Sequence, residues 1–433
     1  MNIFHLIYIP IILYAFRNYH KAFLLYAITK PFLHNMIPFL FAPGIPLIQM
    51  ETFMNTFFLM CVILNHISKK EFKIANSSFP LKRAFFVYIT SISVSSALSS
   101  ITPILQSTMT GYQIILNDFI FVCLLYTELK NRQNIRFFIK GLVVVFSIAI
   151  LYGIFERVND FYNPLREYQK ILNPSDGLTF DNPDARGGVG RVKSIFNNAL
   201  SCSAYAAVAL TFFFYINMRY KKTWNSPILI RVSFLAGLLL LLLMANTRGG
   251  ILYTGVLMLF MLNLKTMLLI ALFLPIFGIL FYDFVAPYML TILSIFSSSA
   301  SEEARGSNFA MRVMQFLAMI PIWMDSFFFG YGMQGERYWP QQVPALLGTE
   351  SIWLKLPINQ GFFGIIAYVY LLISMVKFAI GKAKRYVIGS ILACLALMTT
   401  TIWLPISFFI STLFIVYRLE LLSKKEEMQY VTG

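Results

Sequence analysis

The sequence predicts an all-α polytopic membrane protein with about 11–13 transmembrane helices and two long outer loops. Three observations predict it. The 433 residues are 58% hydrophobic and 12% charged, against about 45–50% apolar and about 25% charged in a soluble chain. Apolar runs of roughly 20 residues, the length that crosses a bilayer core, recur along the sequence. The basic residues concentrate in alternate connections between those runs.

Taken in order, the apolar runs lie at roughly 3–16, 22–42, 51–67, 82–103, 108–128, 137–156, 195–217, 229–246, 249–264, 267–284, 358–379, 386–402 and 404–419. Met1-Asn2-Ile3-Phe4 lacks a basic leader region and a small-residue cleavage site, so the first run is read as a retained span. Lys30-Pro31 marks a kink in the second run, and Pro405 the division of the last pair. Five regions follow. They are N-terminal spans (1–155), a first long loop (156–194), central spans (195–284), a second long loop (285–352), and C-terminal spans with a tail (353–433).

Charge sets the orientation. With Arg17 to Lys21 on the cytoplasmic side, strict alternation puts 23 of the 35 basic residues and only 5 of the 19 acids on that side. The outer segments then hold 11 basic and 13 acidic residues, and Lys30 and Asp118 fall inside spans. This positive-inside bias accounts for the net charge of +16. The cations are spread over many short loops, which does not argue for nucleic acid. Both long loops and the Asn246–Gly250 turn land on the outer side.

The four cysteines fall within spans, and the four histidines lie outside the long loops without zinc spacing. No metal or cofactor is expected, and there is no P-loop or GxGxxG element. Energy for any reaction must come from the substrate or from a gradient.

Arginines carry the chemistry. Asn246-Thr247-Arg248-Gly249-Gly250 interrupts an apolar stretch, and Asp184-Ala185-Arg186-Gly187-Gly188-Val189-Gly190-Arg191 closes the first long loop. An arginine between membrane helices is costly and calls for an anionic partner or an aqueous cavity. Its planar fork binds two phosphate oxygens at once. A helix expected to begin at Ser194-Ile195 adds free N–H groups beside Arg186, Arg191 and Lys193. Headgroup contacts and interfacial snorkelling are the alternative roles of these cations.

In the second long loop, Asn308 to Met324 reads as a helix carrying Arg312, suited to the membrane interface. Tyr162, Tyr331, Tyr338, Trp339 and Trp353 are either an interfacial aromatic belt or faces on which sugar rings stack. Glu350, at the outer end of a span, is either a general base or a salt-bridge partner. Asp118 is either functional or a packing residue, paired with Lys30 or with the serines of 91–100.

Several of these segments resemble a known family. Asn246-Thr247-Arg248-Gly249-Gly250-Ile251-Leu252 resembles the polar-Arg-Gly signature of the O-antigen ligase/polymerase superfamily. Gly190-Arg191-Val192-Lys193-Ser194-Ile195-Phe196-Asn197-Asn198 is similar to that family's exit from the first long loop. Arg312, Trp323, Asp325-Ser326-Phe327-Phe328-Phe329-Gly330-Tyr331-Gly332, Glu350-Ser351-Ile352-Trp353-Leu354 and Gly361, which is read as opening the next span, follow in the family's order. The resemblance covers roughly 185–380. Glu350 stands where the ligases have a histidine, which favours the polymerase branch (Wzy).

The resemblance implies a metal-independent inverting glycosyltransferase of the bacterial inner membrane, with a periplasmic active face. Its substrates would be undecaprenyl-diphosphate-linked glycans, and its partners membrane lipid and a chain-length regulator protein. Arg186, Arg191, Arg248 and Arg312 would bind diphosphate. Glu350 would be the base, and Tyr331, Tyr338, Trp339 and Trp353 would contact glycan. A ligase acting on a lipid core is the alternative, and a polysaccharide flippase or another multispan transporter the second.

Overall fold

The computed structural model describes residues 5–32, 49–68, 79–172, 185–186, 189–224, 226–263, 309–347, 351–400 and 405–432, with isolated positions between 265 and 286. The chain is a polytopic membrane protein of the all-α class, helical apart from one short two-stranded ladder among the described residues. Among the described residues, five helices are long and apolar enough to cross a bilayer: Ile104–Glu128, Arg132–Val158, Ala199–Arg219, Ile352–Phe378 and Ile406–Glu426. Shorter apolar helices cover Met50–Asn65, Ile228–Met244 and Arg248–Met261.

In chain order the main helices are α1 (His5–Thr29), α2 (Met50–Ser68), α3 (Lys82–Ala97) and α4 (Ile104–Glu128). Then come α5 (Arg132–Val158) and α6 (Pro164–Leu172), and a two-stranded antiparallel ladder of β1 (Ala185–Arg186) and β2 (Val189–Gly190). Next are α7 (Ala199–Arg219), α8 (Ile228–Met244), α9 (Arg248–Met261), α10 (Phe309–Asp325) and α11 (Gly335–Gln342). α12 (Ile352–Met375), α13 (Lys384–Thr400) and α14 (Ile406–Thr432) complete the chain.

Local chemistry sets the boundaries. The Asn131 side chain accepts from Asn134 N at 2.7 Å, and that of Asn198 from Ser201 N at 2.7 Å, so each asparagine caps the helix it precedes. α4 and α8 start directly after Pro103 and Pro227, whose fixed φ and missing N–H suit an entrance and not an interior. α1 is broken at Asn18 (φ −154, ψ 88), within the polar stretch that separates the first two apolar runs.

α9 packs along α13 and α7, α8 along α7 and α5, and α12 along α3. A Cβ on Gly250 would lie 2.0 Å from Ser203 Oγ and 3.0 Å from the Ser203 carbonyl. The small residue lets the first turn of α9 rest on α7, as helix contacts in lipid require. Large apolar side chains such as Phe16, Phe86, Leu105 and Leu229 point outward, a surface that suits lipid and not water.

Most expected spans coincide with helices to within a few residues. The first two runs share α1, with 33–42 outside the described residues, and α14 continues to Thr432, past the run at 404–419. Two further differences have physical reasons. α7 begins at Ala199 instead of Ser194–Ile195, because Ser194 has φ +51 and Asn198 supplies the cap. Gly361, expected to open a span, interrupts one: α12 starts at Ile352, and Gly361 breaks it with φ +62 and ψ −156. The run at 267–284 lies mostly outside the described residues.

Glu51, counted among the outer charges, is buried in the bundle. Lys30 Nζ lies 2.7 Å from Glu51 Oε1, with the two side chains 7% and 9% exposed. A π-helical turn at Ile115–Ile120 within α4 frees the Asn117 carbonyl, which accepts from Lys30 Nζ at 2.5 Å. The Asn117 side chain bonds Asn55 at 2.9 Å and Thr52 at 3.2 Å. Lys30 therefore has Glu51 as an ion-pair partner, and Asp118 also faces the Lys30 charge while its carboxylate accepts a hydrogen bond from Ser407, which accepts from Lys30 Nζ as well. Buried ions in a membrane protein persist only with such satisfaction.

Candidate functional site

The two arginine-glycine patches meet in the fold. Val192 N donates to Met244 O at 3.0 Å, and Arg191 Nε makes a longer contact of 3.5 Å to Ala245 O. The exit of the first long segment is thereby laid against the last turn of α8, next to Asn246-Thr247-Arg248. Asn246 takes φ +44, which turns the chain sharply from α8 into α9. Thr247 is the N-cap residue of α9, its hydroxyl against that of Ser203, and Arg248 is the first helical residue. Arg191 and Arg248 are both buried. The exit segment with Arg191 and the glycine-rich first turn of α9 that begins at Arg248 thus occupy one region of the fold.

A carboxylate holds the exit segment in shape. Glu156, at the end of α5, is almost fully buried. It accepts from Ser194 N at 2.6 Å, from Lys193 N at 3.2 Å and from Asn163 Nδ2 at 3.1 Å. Asn163 also donates to Ser194 O at 2.9 Å and accepts from Tyr152 at 3.0 Å. Arg166, in the first turn of α6, donates through Nη2 to Asn197 O. A Cβ on Gly190 would collide with the Phe161 ring at 2.5 Å, so glycine is required where that ring covers the exit. The Arg157 guanidinium lies over the same ring, 4.8 Å from its centroid.

Sequence reading missed Asn163 and Arg166. Asn163-Pro164 is a helix-start signal that would have put Arg166 in a first turn.

The other expected site residues fall into separate places. Arg186 lies in β1, opposite Val189 and just ahead of Arg191; its side chain is outside the described structure. Glu350 lies outside the described residues. Arg312 sits on α10, as expected of the helix at 308–324. Its Nη1 makes a 3.4 Å contact with Gln315 Oε1, and Gln315 Nε2 donates to Leu347 O at 3.1 Å.

The aromatic residues divide. Tyr331, Tyr338 and Trp339 form one cluster, with Trp339 edge-on to Tyr331 at 5.1 Å and to Tyr338 at 5.5 Å between ring centroids. Tyr331 is buried and its hydroxyl donates to Ile322 O at 2.8 Å, whereas Tyr338 is 38% exposed. Burial pushes the Tyr331 hydroxyl above its usual range, so it stays a neutral donor. Trp353 stands apart and packs edge-on to Tyr368 at 6.4 Å.

The cluster rests on the interruption in α12. Tyr331 N donates to Ile358 O at 2.8 Å, Gly332 N to Asn359 O at 3.0 Å, and Phe362 N to Phe327 O at 2.8 Å. The aromatic turn thus takes up main-chain groups that Gly361 withdraws from the helix. Gly330 and Gly361 both have positive φ, and a Cβ on either would lie 2.5–2.7 Å from the main chain of the other's segment. Backbone meets backbone here, which only glycine allows.

No family model matches the chain, and no curated protein matches it.

Proposed function

We propose that this protein is a surface-polysaccharide polymerase of the O-antigen (Wzy) type, joining undecaprenyl-diphosphate-linked repeat units at the periplasmic face of a bacterial inner membrane. The observation that carries the reading is the seating of the Arg191 exit against the Arg248 turn. Two arginines far apart in sequence then share one region with the N–H groups of a helix start, the chemistry that a diphosphate requires.

In the proposed reaction, an acceptor-sugar hydroxyl attacks the anomeric carbon of the donor glycan. The new C–O bond forms as the bond to the lipid diphosphate breaks. Arg191 and Arg248, with Arg186 and Arg312 as further cations, stabilise the departing diphosphate. Loss of one such donor costs about 10²–10³ in rate. The hydroxyl proton passes to the Glu350 carboxylate. One displacement inverts the anomeric carbon, and the sugar–diphosphate bond supplies the energy. Metal is not required, and a separate regulator protein would set chain length.

Product analysis in cells lacking the chain tests the proposal. A single repeat unit should accumulate on the lipid anchor at the outer side. Long polymer at wild-type abundance would contradict the polymerase reading. The interrupted helix α12 favours a transporter as the second reading, since substrate sites in transporters are built on broken helices. Loss of a transporter would leave the lipid-linked unit on the cytoplasmic side.

A further inference from the structure

Among the described residues, helix α11 presents two buried polar atoms without a hydrogen-bond partner: Glu336 Oε2, an acceptor, and Trp339 Nε1, a donor. They are three residues apart, so both project from one face of the helix. The other oxygen of the same carboxylate is engaged, with Lys355 Nζ 3.0 Å from Glu336 Oε1. The pair stands at an accessible edge, with Glu336 18% and Lys355 31% exposed.

The mounting is rigid. Glu336 N donates to Asn359 Oδ1 at 2.9 Å, next to the Gly361 interruption. Gln334 Nε2 donates to Thr110 Oγ1 at 2.9 Å, which ties the start of α11 to α4. Tyr331 and Tyr338 both pack edge-on against the Trp339 ring.

A buried carboxylate oxygen and an indole N–H left without partners are costly, and native proteins supply the missing partner. A hydroxyl can serve both, donating to the carboxylate and accepting from the indole. A vicinal diol would engage both atoms while its ring's apolar face meets Tyr338 and Trp339. We infer that Glu336, Trp339 and Lys355 form a sugar-binding subsite, reached where the Glu336–Lys355 pair is partly exposed, which takes a neutral hydroxyl-rich ring of the glycan substrate. This rests on the polymerase reading and adds residues to it: Glu336 and Lys355 carry the polar recognition, and Trp339 supplies a donor as well as a ring.

The test uses the full chain in lipid nanodiscs and, as substrate, the lipid-linked single repeat unit extracted from cells that lack the protein. Trp339→Phe keeps the ring and deletes the donor; Glu336→Gln keeps the shape and deletes the charge. Each should raise KM and lower kcat/KM roughly 10- to 100-fold with an unchanged Tm, the loss that follows removal of a charged or buried hydrogen bond. Wild-type kcat/KM in both variants would overturn the subsite and leave the two atoms to bound water. A shifted Tm in Glu336→Gln would leave the decision to Trp339→Phe. A wild-type protein that fails to lengthen the extracted unit would sink the polymerase reading itself, and the ligand assigned here with it.

Discussion

The main-chain N–H of Ser194 donates to the Glu156 carboxylate at 2.6 Å, across 38 residues of sequence. That bond closes the first long segment onto the end of α5 and fixes the stretch that carries Arg191. Ser194 can present its N–H there because it takes φ +51, so that it and Lys193 aim successive donors at one carboxylate. An anion-accepting loop is thus shaped by an internal anion, next to the arginines that would hold an external one.

Replacing Glu156 with Gln should therefore loosen the exit. The amide turns an NH₂ group toward N–H donors that need an acceptor. A loss of about 1.5–3 kcal/mol is expected, the value of a hydrogen bond to a charged group. A thermal melt of the purified protein reads it, and a Tm equal to that of wild type would show that Glu156 does not hold the segment.

Gly250→Ala should destabilise the contact between α9 and α7 by about 1–3 kcal/mol through overpacking. The added methyl meets Ser203 Oγ at 2.0 Å. Ser203→Ala removes that atom, so the double variant should recover part of the loss. Equal Tm values for the single and double variants would place the cost elsewhere.

How much of this was legible in the sequence depends on the range of the interaction. Apolar runs placed the helices because each helix needs only its own residues to cross lipid, but the caps at Asn131 and Asn198 went unread, and the helix after the first long loop was started too early, at Ser194. The Arg248 turn was visible for the same reason: a charge between two apolar runs. Glu156 was visible only as the edge of a loop, since its partners lie across a long segment. Gly361 read as the start of a span because the turn at Phe327–Gly332 that occupies its break cannot be inferred from neighbours. Glu51 looked like an outer charge, and only tertiary packing brings it to Lys30.

The α12 interruption gives a sharper expectation. Gly361→Ala puts a Cβ 2.5 Å from the Phe328 main chain and demands a positive φ from an L-residue. No neighbouring side chain can yield, so no truncation of Phe328 or Phe327 should rescue it. A loss of at least about 1–3 kcal/mol follows from the backbone strain alone. Full stability of Gly361→Ala in a melt would refute the docked geometry.

In the bundle, Lys30→Met leaves the Glu51 carboxylate buried without its ammonium, which costs about 3–5 kcal/mol. Converting both, Lys30→Met with Glu51→Gln, should cost less than Lys30→Met alone. Comparison of melts in the same detergent decides it, and a double variant worse than the single would show that the ion pair is not the coupling.

The central claim is that Arg191 and Arg248 together grip a lipid diphosphate. It is tested most directly by the length of lipid-linked glycan made in cells carrying Arg248→Ala at wild-type protein level. The account predicts a single repeat unit and no long chains, with Arg248→Lys intermediate because charge survives without the planar fork. Wild-type chain lengths from Arg248→Ala would contradict it.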